Sequence, residues 1–134
     1  MLTGLNHITL AVNDLEKSFT FYTELLGFKA RAKWKQGAYL SLGDLWLCLS
    51  VDESKPGRDY SHIAFSVPQQ NFPALSSLLI SNDVKVWKDN KSEGDSLYFL
   101  DPDGHKLEAH VGDLQSRLES IRLNPYEGLV LFNN

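Results

Sequence analysis

The side chains best suited to chemistry fall in three places. His7 stands in GLNHITLAV, His62 in YSHIAFSV, and Glu108 in HKLEAHV. Two imidazoles and one carboxylate suit a first-row divalent ion and leave positions open for a substrate. A lone histidine in a strand is more often structural than ligating. Here two occupy equivalent places: His7 precedes Ile8 as His62 precedes Ile63, and Val67 answers Val12, an offset of 55 residues in both cases. The segment LWLCLSV in the first half holds no Asp, Glu or His to match Glu108, so three protein ligands are expected rather than four. His105 and His110 compete for the third place. His105 sits beside a turn, and His110 shares the face of Glu108 one pleat further along; Glu108 is the preferred ligand. A polar loop, NKSEGDS, precedes this strand and has no apolar residue over 90–96. Its hydroxyls, amide, carboxylates and glycine suit hard cations or phosphate-like anions.

The elements that must position these groups follow from periodicity. GLNHITLAV alternates, with Ile8, Leu10 and Val12 on one face and His7, Thr9 and Ala11 on the other. NDLEKSFTFYTELLGF predicts a helix capped by Asn13, with Glu16 completing a capping box and Gly27 ending it. Its apolar stripe is Leu15, Phe19, Tyr22 and Leu26. FKARAKW is a strand, and AYLSL and LWLCLSV form a hairpin about Gly43 and Asp44. The pattern then restarts: YSHIAFSV, a helix over 68–80 striped by Phe72, Leu75 and Leu79, the strand VKVW, and the hairpin SLYFL–DPDG–HKLEAHV. Proline and glycine in DPDG favour a tight turn. DLQSRLESIR is a last helix capped by Asp113, and NPYEGLVLFNN carries too little pattern to assign. Two tandem β-α-β-β-β modules result, an α+β architecture. Module one spans 1–51, the linker 52–59, module two 60–111, and the terminal helix and tail 112–134, in one domain.

Composition narrows the class. A chain of 134 residues, 43% hydrophobic and 22% charged, suits one globular domain. A net charge of −4 argues against nucleic acid as a general partner. One cysteine, Cys48, excludes an internal disulfide and fits a reducing cytosol, where Cys48 would pack rather than react. The first 20 residues lack a basic start before an apolar run, and no stretch is long enough to span a membrane, so a cytoplasmic protein is expected.

The blocks LNHITLAV, AYLSLGDLWLCLS, YSHIAFSV and WKDNKSEGDSLYFLDPDGHKLEAHVG, with Arg117 on the last helix, resemble the vicinal-oxygen-chelate (glyoxalase-like) superfamily. Within it they closely resemble the fosfomycin resistance glutathione transferases of the FosA group. The resemblance implies a cupped mixed sheet and a divalent metal, usually manganese, on His7, His62 and Glu108. It implies potassium in the loop of Asn90, Ser92, Glu93, Gly94 and Ser96. Lys88, Ser92, Ser96, Tyr98 and Arg117 would hold the phosphonate of fosfomycin, with Thr9 beside the epoxide and Trp46 walling the pocket. Tyr39 would handle the thiol proton, and Trp34, Gln36, Ser50 and Lys91 would contact glutathione. Lys91 stands where the group often has arginine, which keeps charge and loses the forked geometry.

Arg117, Lys88 and the serines would singly be solvated surface residues; their joint fall on one family site makes that reading poor. The implied reaction is addition of the glutathione thiolate to the oxirane carbon bonded to phosphorus. A hydrolytic relative would carry a carboxylate base where Lys35, Gln36 and Gly37 stand. A bacillithiol-using relative usually has cysteine in place of Thr9 and lacks the NKSEG loop. A metal-free drug-binding module would lack the three ligands. Residues 52–59 are short for folding one half-cup onto the other, so a homodimer with shared sites is expected. His7 and Thr9 would come from one subunit, and His62 and Glu108 from the other.

Overall fold

The computed structural model describes residues 1–133. Strand β1 (Ile8–Val12) leads into helix α1 (Leu15–Thr20), which continues as a wider π-helical turn over Phe21–Leu25. Its N-cap is Asp14, whose carboxylate accepts from the Lys17 N–H at 3.2 Å, not Asn13 as expected. Asn13 is committed elsewhere: its side-chain oxygen accepts from the Ser54 N–H at 3.0 Å, and its own N–H donates to Asp103 at 2.8 Å. The helical segment stops where Gly27 takes φ +80°, a left-handed conformation that glycine adopts without strain.

Strands β2 (Lys29–Trp34), β3 (Gly37–Leu42) and β4 (Leu45–Val51) complete the first sheet in the order β1-β4-β3-β2. β1 pairs parallel to β4, and the others are antiparallel. The second half repeats this layout: β5 (Ile63–Ser66), α2 (Phe72–Ser81), β6 (Val86–Lys88), β7 (Ser96–Leu100) and β8 (Lys106–His110), ordered β5-β8-β7-β6. Pro73 lies in the first turn of α2, where its missing N–H costs nothing. Helix α3 (Leu114–Leu123) is capped by Asp113, which exchanges hydrogen bonds with Ser116. None of these helices is long and apolar enough to cross a membrane.

One continuous core joins the halves. Sheet one contributes Val12, Leu40, Leu47 and Leu49, and the α1 segment adds Phe21 and Tyr22. Leu79, Phe99, Leu107 and Ala109 enter from the second half. Phe28 meets Tyr22 and Phe65 edge-to-face, each at 5.5 Å between centroids, so its ring bridges both halves. Truncating a fully buried leucine here to alanine would cost about 2–5 kcal/mol. With the aliphatic faces turned to this core, each sheet presents its other face outward.

The turn between β7 and β8 also ties the halves together. Asp101 is buried and accepts from the Tyr22 hydroxyl at 2.7 Å and from the N–H groups of Asp103 and His105 at 2.9 Å. Asp103 accepts from Asn13 and from the Ser18 hydroxyl, and His105 Nε2 lies 2.8 Å from the Ala11 carbonyl, to which it donates. The end of β1 and the start of β8 are thus pinned together.

Candidate active site

Cross-strand register decides which side chains share a face. In sheet one, Thr9, Cys48 and Tyr39 form one row. Alternation puts His7, Trp46, Ser50 and Gly37 on that same face, and Trp34 pairs with Gly37. Their rings run in sequence: His7 to Trp46 at 4.6 Å, Trp46 to Tyr39 at 5.3 Å, and Tyr39 to Trp34 at 4.7 Å. The ladder is open to solvent, with Tyr39 39% and Trp46 38% exposed. Gln36 lies in the turn before β3, its carbonyl accepting from the Val51 N–H. Cys48 is buried among these groups.

In sheet two, Ala64, Glu108, Tyr98 and Lys88 form one row and Ser66, His110 and Ser96 the next. Here the centre of the outward face is closed in the single chain, Glu108 being 6% and Tyr98 3% exposed, while Ala64 and Ser66 at its β5 edge are open. A buried carboxylate demands partners, and Glu108 has them. His62 Nε2 lies 3.0 Å from Oε1, and the Ser96 hydroxyl donates to Oε2 at 2.6 Å. Because the single Ser96 proton goes to Glu108, the serine oxygen accepts from His110 Nδ1 at 2.5 Å.

The two candidate metal-binding histidines present their Nε2 atoms for the same reason. His7 Nδ1 lies 2.7 Å from the Asn6 side-chain oxygen, and His62 Nδ1 lies 2.8 Å from the Tyr60 carbonyl. Both oxygens only accept, so each Nδ1 carries the proton. In a neutral His62 the bare Nε2 lone pair then faces a carboxylate oxygen at 3.0 Å. Two electron-rich atoms so placed need a positive centre between them, either a proton or a cation. Ligands about 2.1 Å from one ion and at right angles stand about 3.0 Å apart, so the spacing fits a shared metal.

His7 and Thr9 stand with the other sheet, and among the described residues the hydrogen bonds of Glu108 and His62 do not include them. Among the described residues, the one group of three metal-capable side chains within 4.8 Å of one another is Asp101, Asp103 and His105. That group already receives protons from Tyr22, Ser18, Asn13 and two turn N–H groups, so it is well explained as the turn that pins the halves.

Around the polar cluster lie the expected anion-binding groups. Lys88 Nζ donates to the Tyr60 hydroxyl at 3.0 Å and sits over the Tyr98 ring at 4.5 Å. The hydrogen bond to Tyr60 holds its pKa above the ordinary lysine value. Arg117 is paired: Nε lies 3.5 Å from Glu93 Oε1, and one NH2 group donates to the Glu93 carbonyl at 3.3 Å. The loop over 90–96 closes on itself. Asn90 accepts from the N–H and hydroxyl of Ser92 and donates to the Gly94 carbonyl. Gly94 has φ +78°, and a Cβ there would collide with the Val111 carbonyl, so the loop needs glycine twice over. Lys88, Lys91, Ser92 and Glu93 line a surface cavity of about 310 Å³ with Tyr126 and α3.

Two contributors escaped the sequence, and a third, His110, was read only as a rival ligand to Glu108. Tyr60 holds both His62 and Lys88, Asn6 holds His7, and His110 backs Ser96. Their adjacency to the histidines and to Glu108 was the available signal, but the contacts run through a main-chain carbonyl, an amide rotamer and a cross-strand pair, none of which periodicity reveals.

The paired four-stranded sheets and the histidine–carboxylate cluster define a protein of the Glyoxalase/Bleomycin resistance protein/Dioxygenase superfamily. The chain belongs to that superfamily, whose family model matches residues 4–109. More particularly, it is 56% identical to the glutathione transferase FosA of Serratia marcescens, over 97% of this chain and 96% of that protein. It is 38% identical to the metallothiol transferase FosB of Lysinibacillus sphaericus, over 87% of each. Among solved structures it matches the fosfomycin resistance protein FosX of Listeria monocytogenes, complexed with Mn(II) and sulfate. There the TM-score is 0.81 at 30% identity, covering 90% of this chain and 98% of that one.

Proposed function

We propose that this chain is a divalent-metal-dependent glutathione transferase that opens the epoxide of fosfomycin, working as a homodimer. The observation that carries the reading is the facing of His62 Nε2 and Glu108 Oε1 at 3.0 Å with the His62 Nδ1 proton already donated. These two residues, with His7 of a second copy, would hold manganese. Bound there, it supplies Lewis acidity at the oxygen that gains charge as the ring opens. Support for the substrate comes from the similarity to FosA, FosB and FosX.

The chain's own residues then have separable tasks. Lys88 is pre-aimed by Tyr60 and Tyr98 at the phosphonate, and Arg117 would exchange Glu93 for two phosphonate oxygens. Ser92 and Tyr98 fix the anion's orientation, Ser96 would join them by turning its hydroxyl from Glu108, and potassium held by the loop over 90–96 would offset the charge. On the facing subunit, Thr9 and Trp46 border the epoxide, and Tyr39 handles the thiol proton by donating its hydroxyl to the sulfur, which favours the thiolate while the thiol proton leaves to solvent. Trp34, Gln36, Ser50 and Lys91 receive the glutathione peptide. The thiolate sulfur attacks the oxirane carbon bonded to phosphorus, the C–O bond breaks, and its electron pair stays on oxygen, which is then protonated. The test is anaerobic incubation with Mn2+, fosfomycin and glutathione, followed by phosphorus NMR. A thioether adduct is expected. A diol would make the chain a hydrolase, and no turnover with any thiol would overturn the reading.

A further inference from the structure

Resting on that metal-site reading, we infer that Asn6 is a positioning residue that sets the tautomer and ring direction of His7. The two candidate histidines have the same need: Nδ1 must hold the proton so that Nε2 can ligate. They meet it differently. His62 is held by a main-chain acceptor, the Tyr60 carbonyl at 2.8 Å. The position before His62 is Ser61, whose N–H is bonded to Asp59 and whose side chain plays no part in holding the ring. His7 is held by a side chain, the Asn6 carboxamide oxygen at 2.7 Å. A main-chain carbonyl survives any substitution, whereas the acceptor on His7 depends on the identity of residue 6.

The surroundings of His7 make that single bond matter. His62 is gripped by Glu108, and its ring packs near Tyr60, Trp87 and Tyr98. His7 is exposed just before β1, and among the described residues its one ring neighbour is Trp46, tilted at 37°. Stacking on Trp46 restricts the plane of the imidazole. It does not distinguish a ring from the same ring flipped by 180°, which puts a ring carbon where each nitrogen stood. The Asn6 oxygen makes that distinction, because a flipped ring would present carbon to it and leave the amide without its proton. It also selects the tautomer, since an amide oxygen cannot donate. Partners that orient a metal-binding histidine in this way typically contribute about 10–100-fold to metal affinity.

The test compares Asn6→Leu, which keeps the shape and removes the acceptor, with Asn6→Asp, which keeps an acceptor oxygen, and with His7→Ala. Three readouts are taken: Mn2+ affinity from the loss of the free-ion EPR signal, ring nitrogen-15 shifts of His7 in the metal-free protein, and melting temperature. Asn6→Leu should weaken Mn2+ binding about 10–100-fold, move the His7 shifts toward a tautomer mixture, and leave melting unchanged. Asn6→Asp should restore both the affinity and the single tautomer. If His7→Ala loses Mn2+ while Asn6→Leu binds it as the parent does, this inference falls and the metal site stands. Parent-like Mn2+ affinity in His7→Ala would overturn the metal-site reading and this inference with it.

Discussion

The two sheets of this chain have the same strand order and present opposite kinds of outward face. Sheet one shows an open ladder of rings, His7, Trp46, Tyr39 and Trp34, with no carboxylate among them. Sheet two shows a closed polar cluster in which Glu108 is satisfied by His62 and, through Ser96, by His110. The shared topology is held by the faces that meet in the core, where Leu40, Leu47 and Leu107 are fully buried. The outward faces carry no such constraint and have diverged. An exposed row of rings and a buried histidine–carboxylate pair are different chemical surfaces on one topology. On the proposed reading, a second copy would bring the two together.

The sharpest way to break this comparison is to disable one face in each of two chains. His7→Ala removes the proposed ligand beside sheet one, and Glu108→Ala removes one of the two proposed beside sheet two. Each homodimer should lose more than about a hundredfold in activity, beyond the effect of removing a supporting partner alone. Mixing the two after subunit exchange should restore up to about a quarter of the parent activity, because half the dimers then hold one intact site. No recovery after proven exchange would mean that each site is built within one chain.

A smaller effect tests the anion-binding groups beside sheet two. Arg117→Ala should lower kcat/KM for fosfomycin by about ten- to a hundredfold, as expected for a charge-assisted hydrogen bond worth about 1.5–3 kcal/mol. Its pairing with Glu93 is partly exposed, so the structural cost should stay within about 1 kcal/mol. A fall in melting temperature with fosfomycin kinetics intact would make Arg117 a structural partner of Glu93 and nothing more. Replacing potassium by a large organic cation at equal ionic strength should lower the rate more modestly. An unchanged rate would leave the loop over 90–96 as a turn held by Asn90.

Much of this was legible in the sequence for a physical reason. Alternation reports which face of a strand is buried, so the 55-residue repeat and the placement of His7, His62 and Glu108 on outward faces followed directly. What alternation does not report is a contact between elements distant in sequence. Asn13 reads as a cap by residue type, yet it is drawn to Ser54 and Asp103, and Asp14 takes the role. DPDG reads as a turn, but its two carboxylates also reach Tyr22, Ser18 and Asn13 in the other half. The pairing of Arg117 with Glu93 was hidden likewise, since it joins a helix to a loop across the end of a sheet.

That turn sets the last and smallest test, because it joins the two regions that the comparison separates. Burial raises the pKa of Asp101 from its ordinary value of 3.8, while bonds from Tyr22, His105 and Asp103 pull it back down. A raised folded-state value means that the folded protein holds this proton more tightly than the unfolded chain does. The associated stability is fully present below 3.8 and is lost as pH rises through the folded value. Tyr22→Phe removes the largest of the opposing bonds and raises the folded value further, so the loss runs to higher pH. Tyr22 itself stays neutral throughout, its own pKa being pushed well above 10.0 by burial and by Asp101. The substitution should therefore cost about 1–3 kcal/mol near neutral pH, where an ionised, buried Asp101 loses its donor, and clearly less below pH 3.8. Fosfomycin kinetics at neutral pH should change little if the turn only fastens the halves. Denaturant titrations of both proteins across this range decide it, and a cost that does not vary with pH would mean the hydroxyl acts through packing and not through the Asp101 carboxylate.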